Sequence, residues 1–335
     1  MSGAVARART PGSRALRDIQ APVRDRLDDV VSEMHRIVTD SLPIIREVSA
    51  HLLQMRGKMF RPTLTLLASA AADGPEPRSV TLAAIVELMH LATLVHDDSV
   101  DHSVLRRGLP TVNALFSHQV SVIMGDFLYS RALKALVGLG DLELIRVVTD
   151  VANELTIGEM RQLGAVDALA FTEDEYYRLV RAKTASLIAG ACECGALCGA
   201  PQFRQPLVEY GDRLGVAFQI ADDLLDYMGD QTKTGKPGGL DLREHKVTLP
   251  LIAALQHMSA PGRARVDELF ATENPGDELI SDAIAIVAEA GGIEYARQRG
   301  EQFADDALRA LRVLPQGPVR SSLTDAIAYV MDRQS

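Results

Sequence analysis

Apolar residues recur at three- and four-residue intervals along almost the whole chain, and alternating strand-like runs are missing. The pattern predicts helices over residues 23–39, 43–55, 62–72, 78–103, 110–138, 141–166, 173–199, 204–229, 246–257, 260–271, 278–290, 293–312 and 318–333. Gly and Pro punctuate the intervals between them. Pro62, directly after Arg61, suits a helix start. Thr172 followed by Glu175 reads as a capping box. The stretch 229–245 is the one long Gly- and Lys-containing loop inside the chain. No composition break separates a second domain. The expectation is an all-α fold, with one helical domain over residues 21–335 after a disordered N-terminus, residues 1–20.

With 335 residues and 47% hydrophobic content, the chain can bury a large core. Aromatics are only 4% and Trp is absent, so the apolar mass is Ala, Leu, Val and Ile, which suits packed helices. A formal net charge of −10 argues against nucleic acid as the main partner. It leaves anionic substrates open, because metal ions and local Lys/Arg clusters override the global field. No run of 18 apolar residues predicts a transmembrane segment. The first 20 residues are Arg-rich without the apolar core of a signal peptide. Cys192, Cys194 and Cys198 are clustered, but zinc would need a fourth ligand and usually CxxC spacing. Buried, reduced thiols and a cytoplasmic setting are the expectation.

Two aspartate-rich segments change the picture. Asp97-Asp98-Ser99-Val100-Asp101 and Asp222-Asp223-Leu224-Leu225-Asp226 share the spacing DDxxD, each within a mostly apolar helical stretch. Residues four apart share a helix face, so Asp97 stacks with Asp101 and Asp222 with Asp226. Stacked carboxylates repel and resist desolvation unless a divalent cation lies between them. Two such helices facing each other would make an oxygen-lined cleft for Mg²⁺, which keeps some waters and draws other ligands from substrate phosphates. Two solvated acidic helix ends are the plainer alternative. Basic candidates for the matching anion cluster nearby. Lys58 and Arg61 stand at a loop-to-helix junction, where free N–H groups also favour anions. Arg106 and Arg107 follow the first motif, Lys183-Thr184 pairs a cation with a hydroxyl, and Lys236 and Lys246 lie in and just past the long loop. A lid over phosphates would be useful there.

With these residues in view, the chain resembles the trans-isoprenyl diphosphate synthases of the polyprenyl synthetase family, from about residue 25 to its end. Residues 87–113, ELMHLATLVHDDSVDHSVLRRGLPTVN, resemble the family's first signature, and residues 215–242, GVAFQIADDLLDYMGDQTKTGKPGGLDL, its second. Gly125-Asp126 and the run 246–251 also match. The resemblance implies a single large helical bundle of the isoprenoid synthase type with a central cavity. It implies condensation of an allylic diphosphate with isopentenyl diphosphate, head to tail, with loss of pyrophosphate. It implies Mg²⁺ as cofactor, roughly three ions per site, with Mn²⁺ as a substitute.

Residue by residue, Asp97, Asp101 and Asp222 match the positions that hold metal against the allylic diphosphate. Asp98, Asp223 and Asp226 complete the metal motifs, in part from behind the ligands. Arg106, Lys183 and Lys236 match the clamp on the allylic diphosphate. Lys58, Arg61, His90 and Arg107 match the isopentenyl diphosphate site, with Lys246 beside them, and Thr184 and Gln219 match polar groups near the developing allyl cation. These types suit the chemistry: ionising a C–O bond to diphosphate builds negative charge that metal and Lys/Arg stabilise, while apolar walls keep water from the cation. His96, beside Asp97, reads as a neighbour of the metal cluster rather than a base, because the released pyrophosphate is implied to take the final proton. Thr93 and Ala92, four and five residues before Asp97, would lie one turn below the metals, where short-chain relatives place an aromatic floor. A small Ala92, with Met89 and Val86 further down and Phe127 or Met124 across the cavity, predicts a product of about C30–C50. Geranylgeranyl synthesis is the runner-up.

Two departures stand out. The family's GGKRxRP reads RGKMFRP here, with Arg56 and Met59 substituted, and a Gly before Lys246 is replaced by His245. If that Gly supplied a positive φ, His would tolerate it less well. A class I terpene cyclase would lack a DDxxD second motif, and a non-catalytic subunit or scaffold would be free to lose site residues that this chain keeps. The resemblance further implies a homodimer, with a small second subunit and peripheral membrane contact as open possibilities.

Overall fold

The computed structural model describes residues 16–332 apart from 56, 73, 75, 164–167 and 229–237. Helices run through them much as the spacing predicts. They are α1 (Arg24–Val38), α2 (Pro43–Gln54), α3 (Phe60–Ser69), α4 (Arg78–Val100), α5 (His118–Val137), α6 (Leu142–Leu163) and α7 (Glu173–Val180). After these come α8 (Ser186–Gly199), α9 (Arg204–Met228), α10 (Leu249–Leu255), α11 (Ala260–Ala271), α12 (Asp277–Glu289), α13 (Gly292–Ala310) and α14 (Pro318–Met331). Short helical turns at Leu16–Ile19, Val112–Leu115 and Leu240–Arg243 fill connections. The Thr172–Glu175 capping box forms: Thr172 N–H donates to the Glu175 carboxylate at 2.8 Å, and Glu175 N–H to Thr172 Oγ1 at 3.3 Å.

Departures from the predicted helices are local. Strands Leu105–Arg106 and Leu109–Pro110 pair antiparallel, which corrects the expectation that strands are missing. Between them Arg107 and Gly108 have φ of 51° and 77°, the left-handed pair that a two-residue hairpin turn needs. Strands this short leave no alternation to read. The helix expected over 110–138 is divided: Phe116 abandons helical dihedrals, and Ser117 starts α5 afresh by accepting the Val120 N–H at 3.2 Å. The helix over 173–199 opens into a π-helical turn, Arg181–Ala185, between α7 and α8. The expected start at 246 moves to Leu249, with Pro250 in the first turn.

Helix α4 packs against α1, α3, α5 and α8, while α9 packs against α8 and α13. Eight consecutive residues of α4, Leu82 to Met89, are buried. A helix buried all round loses its polar face, so α4 is long and apolar enough to cross a membrane yet spends most of that apolar surface inside the fold. Helices α3 and α8 touch backbone to backbone. A Cβ on Gly195 would stand 2.2 Å from the Thr65 carbonyl oxygen, and one on Gly199 2.2 Å from that of Ser69. In the same helix Cys192, Cys194 and Cys198 are free, buried thiols, and burial pushes Cys192 up to about 12.

Candidate functional site

Both acidic motifs sit in the last turns of their helices, Asp97 and Asp98 in α4 and Asp222 to Asp226 in α9. The C-terminal end of a helix carries the negative pole of its dipole and disfavours anions, so neither position suits a carboxylate without outside compensation. The inner member of each motif finds it in the protein. Asp98 is buried, and both its oxygens accept from Arg106 Nε at 2.8 Å, an arm held out by the hairpin. Asp223 is buried too, but its partners are neutral: Gln219 Nε2 donates to Oδ1 at 2.8 Å and Tyr176 Oη to Oδ2 at 2.6 Å. Burial, then Asp241, pushes Asp223 up to about 8.

The other motif members are less buried. Asp97 is half-buried, and Asp101 and Asp222 are exposed. Burial first, then Glu159, raises Asp97 to about 6, with Asp101 adding to the shift. Asp226 accepts the N–H groups of Leu240 and Asp241, each at 2.9 Å, and so ties α9 to the short helix Leu240–Arg243. Asp241 is pushed up to about 7 by burial and then by Asp226 and, more weakly, Asp222. Lys246 lies within the field of both motif regions. Burial pulls it down, but Glu244 at 2.6 Å, then Asp241 and Asp101, leave it raised. His245 adopts φ 53°, the conformation a glycine would take freely, and its Nε2 lies 3.1 Å from the Thr272 carbonyl oxygen.

Near Asp97, Lys183 in the π-helical turn reaches α6, with Nζ 2.6 Å from Gln162 Oε1 and 2.9 Å from Glu159 Oε1. Gly158 lets the turn come this close, since a Cβ there would lie 2.8 Å from Lys183 Cγ. Thr184, the next residue, donates to Gln219 Oε1 at 2.9 Å. A second group gathers around the hairpin. Arg107 Nη1 donates to the Met55 carbonyl at 2.7 Å. Arg61 is lowered by burial and held up in part by Glu87, while its Nε is buried without a partner. His90 is held well below its ordinary value by burial and then by Arg61, Arg107 and Arg106, so it is neutral there. Lys58 donates to Tyr329 Oη at 3.0 Å. His96 Nε2 lies 3.2 Å from the Val122 carbonyl oxygen and 3.3 Å from Asp126 Oδ1, turned toward α5. Met89, Ala92 and Met124 lie in one apolar cluster with Phe127 packed on it, and Thr93 Oγ1 bonds its own helix at His90. Lys236 and Arg56 lie outside the described residues.

Sequence reasoning missed Glu87, Glu159, Gln162, Tyr176 and Asp241. Glu87 had a signal, as the one acid in the apolar run from Leu82 to Val95. The others sit in ordinary amphipathic or loop sequence and matter only through what they touch.

Among the described residues, no three His, Cys, Asp or Glu side chains already stand together ready to hold a metal ion. The donor chemistry fits a hard divalent cation nonetheless, because these are carboxylate oxygens that raise one another's proton affinity and would bind a cation in place of protons.

The polyprenyl synthetase family model matches residues 42–287. The octaprenyl diphosphate synthase of Escherichia coli (strain K12) is 38% identical over 288 residues, 85% of this chain and 89% of that protein. The crystal structure of a decaprenyl diphosphate synthase from Rhodobacter capsulatus superposes with a TM-score of 0.90 at 36% identity, covering 96% of this chain and all of that one. A polyprenyl synthase from Caulobacter crescentus CB15, complexed with calcium and isoprenyl diphosphate, has a TM-score of 0.90 at 29% identity, covering 97% of this chain and 100% of that one.

Proposed function

This chain belongs to the polyprenyl synthetase family and is a prenyltransferase that makes trans-polyprenyl diphosphates; from that premise we propose how its cleft is used and how long its product grows. The observation that carries the reading is the pair of acidic helix ends, each with its inner carboxylate held by protein side chains, beside half-buried Asp97 and exposed Asp101 and Asp222. Asp97, Asp101 and Asp222 would hold the divalent metal, taken to be Mg²⁺, with Asp98, Asp223, Asp226 and Asp241 supporting them from behind. When bound, the metal neutralises the diphosphate leaving group as its charge develops.

The chain's own residues do the rest. Arg106 and Lys183, with Lys236, clamp the allylic diphosphate. Lys183 leaves Glu159 and Gln162 to do so. Lys58, Arg61 and Arg107 bind isopentenyl diphosphate, with neutral His90 as a hydrogen-bonding partner and Lys246 nearby. Thr184 and Gln219 face the allyl cation. The apolar cluster of Met89, Ala92, Met124 and Phe127 lines the path of the growing chain and, lacking an aromatic at Ala92, admits a medium to long product of about C30–C50. The names of the similar octaprenyl and decaprenyl synthases support that length over geranylgeranyl. A cytoplasmic homodimer completes the proposal.

Incubation of the protein with Mg²⁺, labelled isopentenyl diphosphate and farnesyl diphosphate, with chromatographic sizing of the dephosphorylated products, tests it. A ladder ending at one long prenol is expected. No elongation from farnesyl, geranyl or geranylgeranyl primers would overturn the proposal for the chain acting alone. Ala92→Tyr should collapse the product to about C15–C20; an unchanged length removes Ala92 from the path.

A further inference from the structure

Four side chains from three helical segments form one continuous hydrogen-bonded line. Tyr176 Oη in α7 donates to Asp223 Oδ2 at 2.6 Å, Gln219 Nε2 donates to Asp223 Oδ1 at 2.8 Å, and Thr184 Oγ1 in the π-helical turn donates to Gln219 Oε1 at 2.9 Å. The direction of this line follows from its partners. The Tyr176 phenol and the Gln219 amide each donate to a different Asp223 oxygen, so the Gln219 amide turns its NH₂ to Asp223 and its oxygen to Thr184. The Thr184 proton is then committed to that oxygen, and what the hydroxyl has left for its open side is lone pairs. Reversed, the amide would donate to Thr184 and push the hydroxyl proton outward. The two orientations present opposite dipoles to whatever stands beside Thr184.

One end of the line lies deep in the fold. Tyr176 is 2% exposed and packs edge-on against the Tyr177 ring at 5.5 Å. Its hydroxyl gives the Asp223 carboxylate a second fixed point. A carboxylate held at one oxygen pivots about its χ2 torsion, which is broad; held at both, it offers Gln219 an acceptor in one place. We infer that Tyr176 is a positioning residue for the allyl-cation site, acting through Asp223 and Gln219 to hold the Thr184 hydroxyl with its lone pairs toward the developing positive charge. The inference rests on the proposed function, which places Thr184 beside that charge.

The test is a double-mutant cycle on the full-length protein with Mg²⁺, farnesyl diphosphate and isopentenyl diphosphate, reading kcat and KM. Tyr176→Phe keeps the buried ring and removes only the hydroxyl. It should lower kcat by about 10–100-fold, the usual effect of losing a group that supports an active-site side chain, with KM for both diphosphates within about twofold. Thr184→Val should lower kcat, and adding Tyr176→Phe to it should lower it no further, because the relay has lost its end. Losses that multiply, a change confined to KM, or no loss in Tyr176→Phe would overturn the inference. Should the Phe variant not fold, Gln219→Leu carries the same cycle from the middle of the line: non-additivity with Thr184→Val supports the relay and additivity overturns it. A wild-type protein that fails to elongate any primer counts against the proposed function, whereas an active wild type with an unaffected Phe variant counts against the relay alone.

Discussion

The end of α4 and the end of α9 carry the same five-residue spacing and solve the same problem by different means. At the end of α4 the buried Asp98 meets a guanidinium, Arg106, with the two side chains 5% and 31% exposed. At the end of α9 the buried Asp223 meets an amide and a phenol. The outermost carboxylates differ as well. Asp101 is exposed at the helix C-cap, while Asp226 accepts two backbone N–H groups from the segment beyond the loop. The spacing guarantees only that positions one and five share a face. How the inner carboxylate is kept, and whether the last one serves the ligand or the loop, depends on the neighbours.

That contrast can be pressed hardest at the outward-facing members, where the two ends should behave alike. Asp97→Asn and Asp222→Asn should each lower turnover by about 10²–10³-fold with melting temperature retained; one variant keeping activity would show that the ends are not equivalent. The inner members should separate. Arg106→Met leaves Asp98 buried and unpaired and should lower unfolding free energy by about 2–4 kcal/mol, whereas Tyr176→Phe removes one neutral donor and should lower it by about 1–2 kcal/mol. Urea titrations of both variants decide it, and equal losses would mean that the guanidinium adds nothing over a phenol.

Proton binding should give a smaller signal. Asp97, Asp241 and Asp223 are raised in the folded chain to about 6, 7 and 8, from an ordinary value of 3.8. The folded state therefore holds more protons than the unfolded one across that window, and stability is lost as pH rises through it. In a chelator, melting temperature should fall between pH 5 and pH 8, and Mg²⁺ should restore more of it at pH 8 than at pH 5. A flat chelator profile would mean that the carboxylates are not crowded. The smallest contrast lies at the last positions: Asp226→Ala should cost about 1 kcal/mol by freeing two N–H groups, against less than about 0.5 kcal/mol for Asp101→Ala. Thermal melts of the two variants compare them directly.

Much of this architecture was legible beforehand, for a physical reason. Helices of this length impose a period that the apolar residues must follow, so α1 to α14 could be placed within a few residues wherever one face is buried. The reading failed where backbone chemistry or close packing outranked the period: the left-handed pair at Arg107-Gly108, the restart at Ser117, and the π-helical turn that sets Lys183 against α6 and Thr184 against α9. The outer carboxylates of the candidate site could be picked out because a repeated DDxxD in apolar helices is a costly arrangement without a cation. Tyr176, Glu159 and Gln162 were not, since a tyrosine or glutamate on an amphipathic helix has no local mark of what it will touch.

By itself, then, the chain determined its helical class, the two carboxylate faces and the set of cations gathered around them, because local periodicity and charge spacing act over one or two turns. Only the tertiary structure decided which carboxylates are held by protein and which are offered outward, which donor meets Asp98 and which Asp223, and where Lys183 rests. Those outcomes depend on partners as much as 47 residues away in sequence, as with Tyr176 and Asp223, and such partners are fixed only when helices pack.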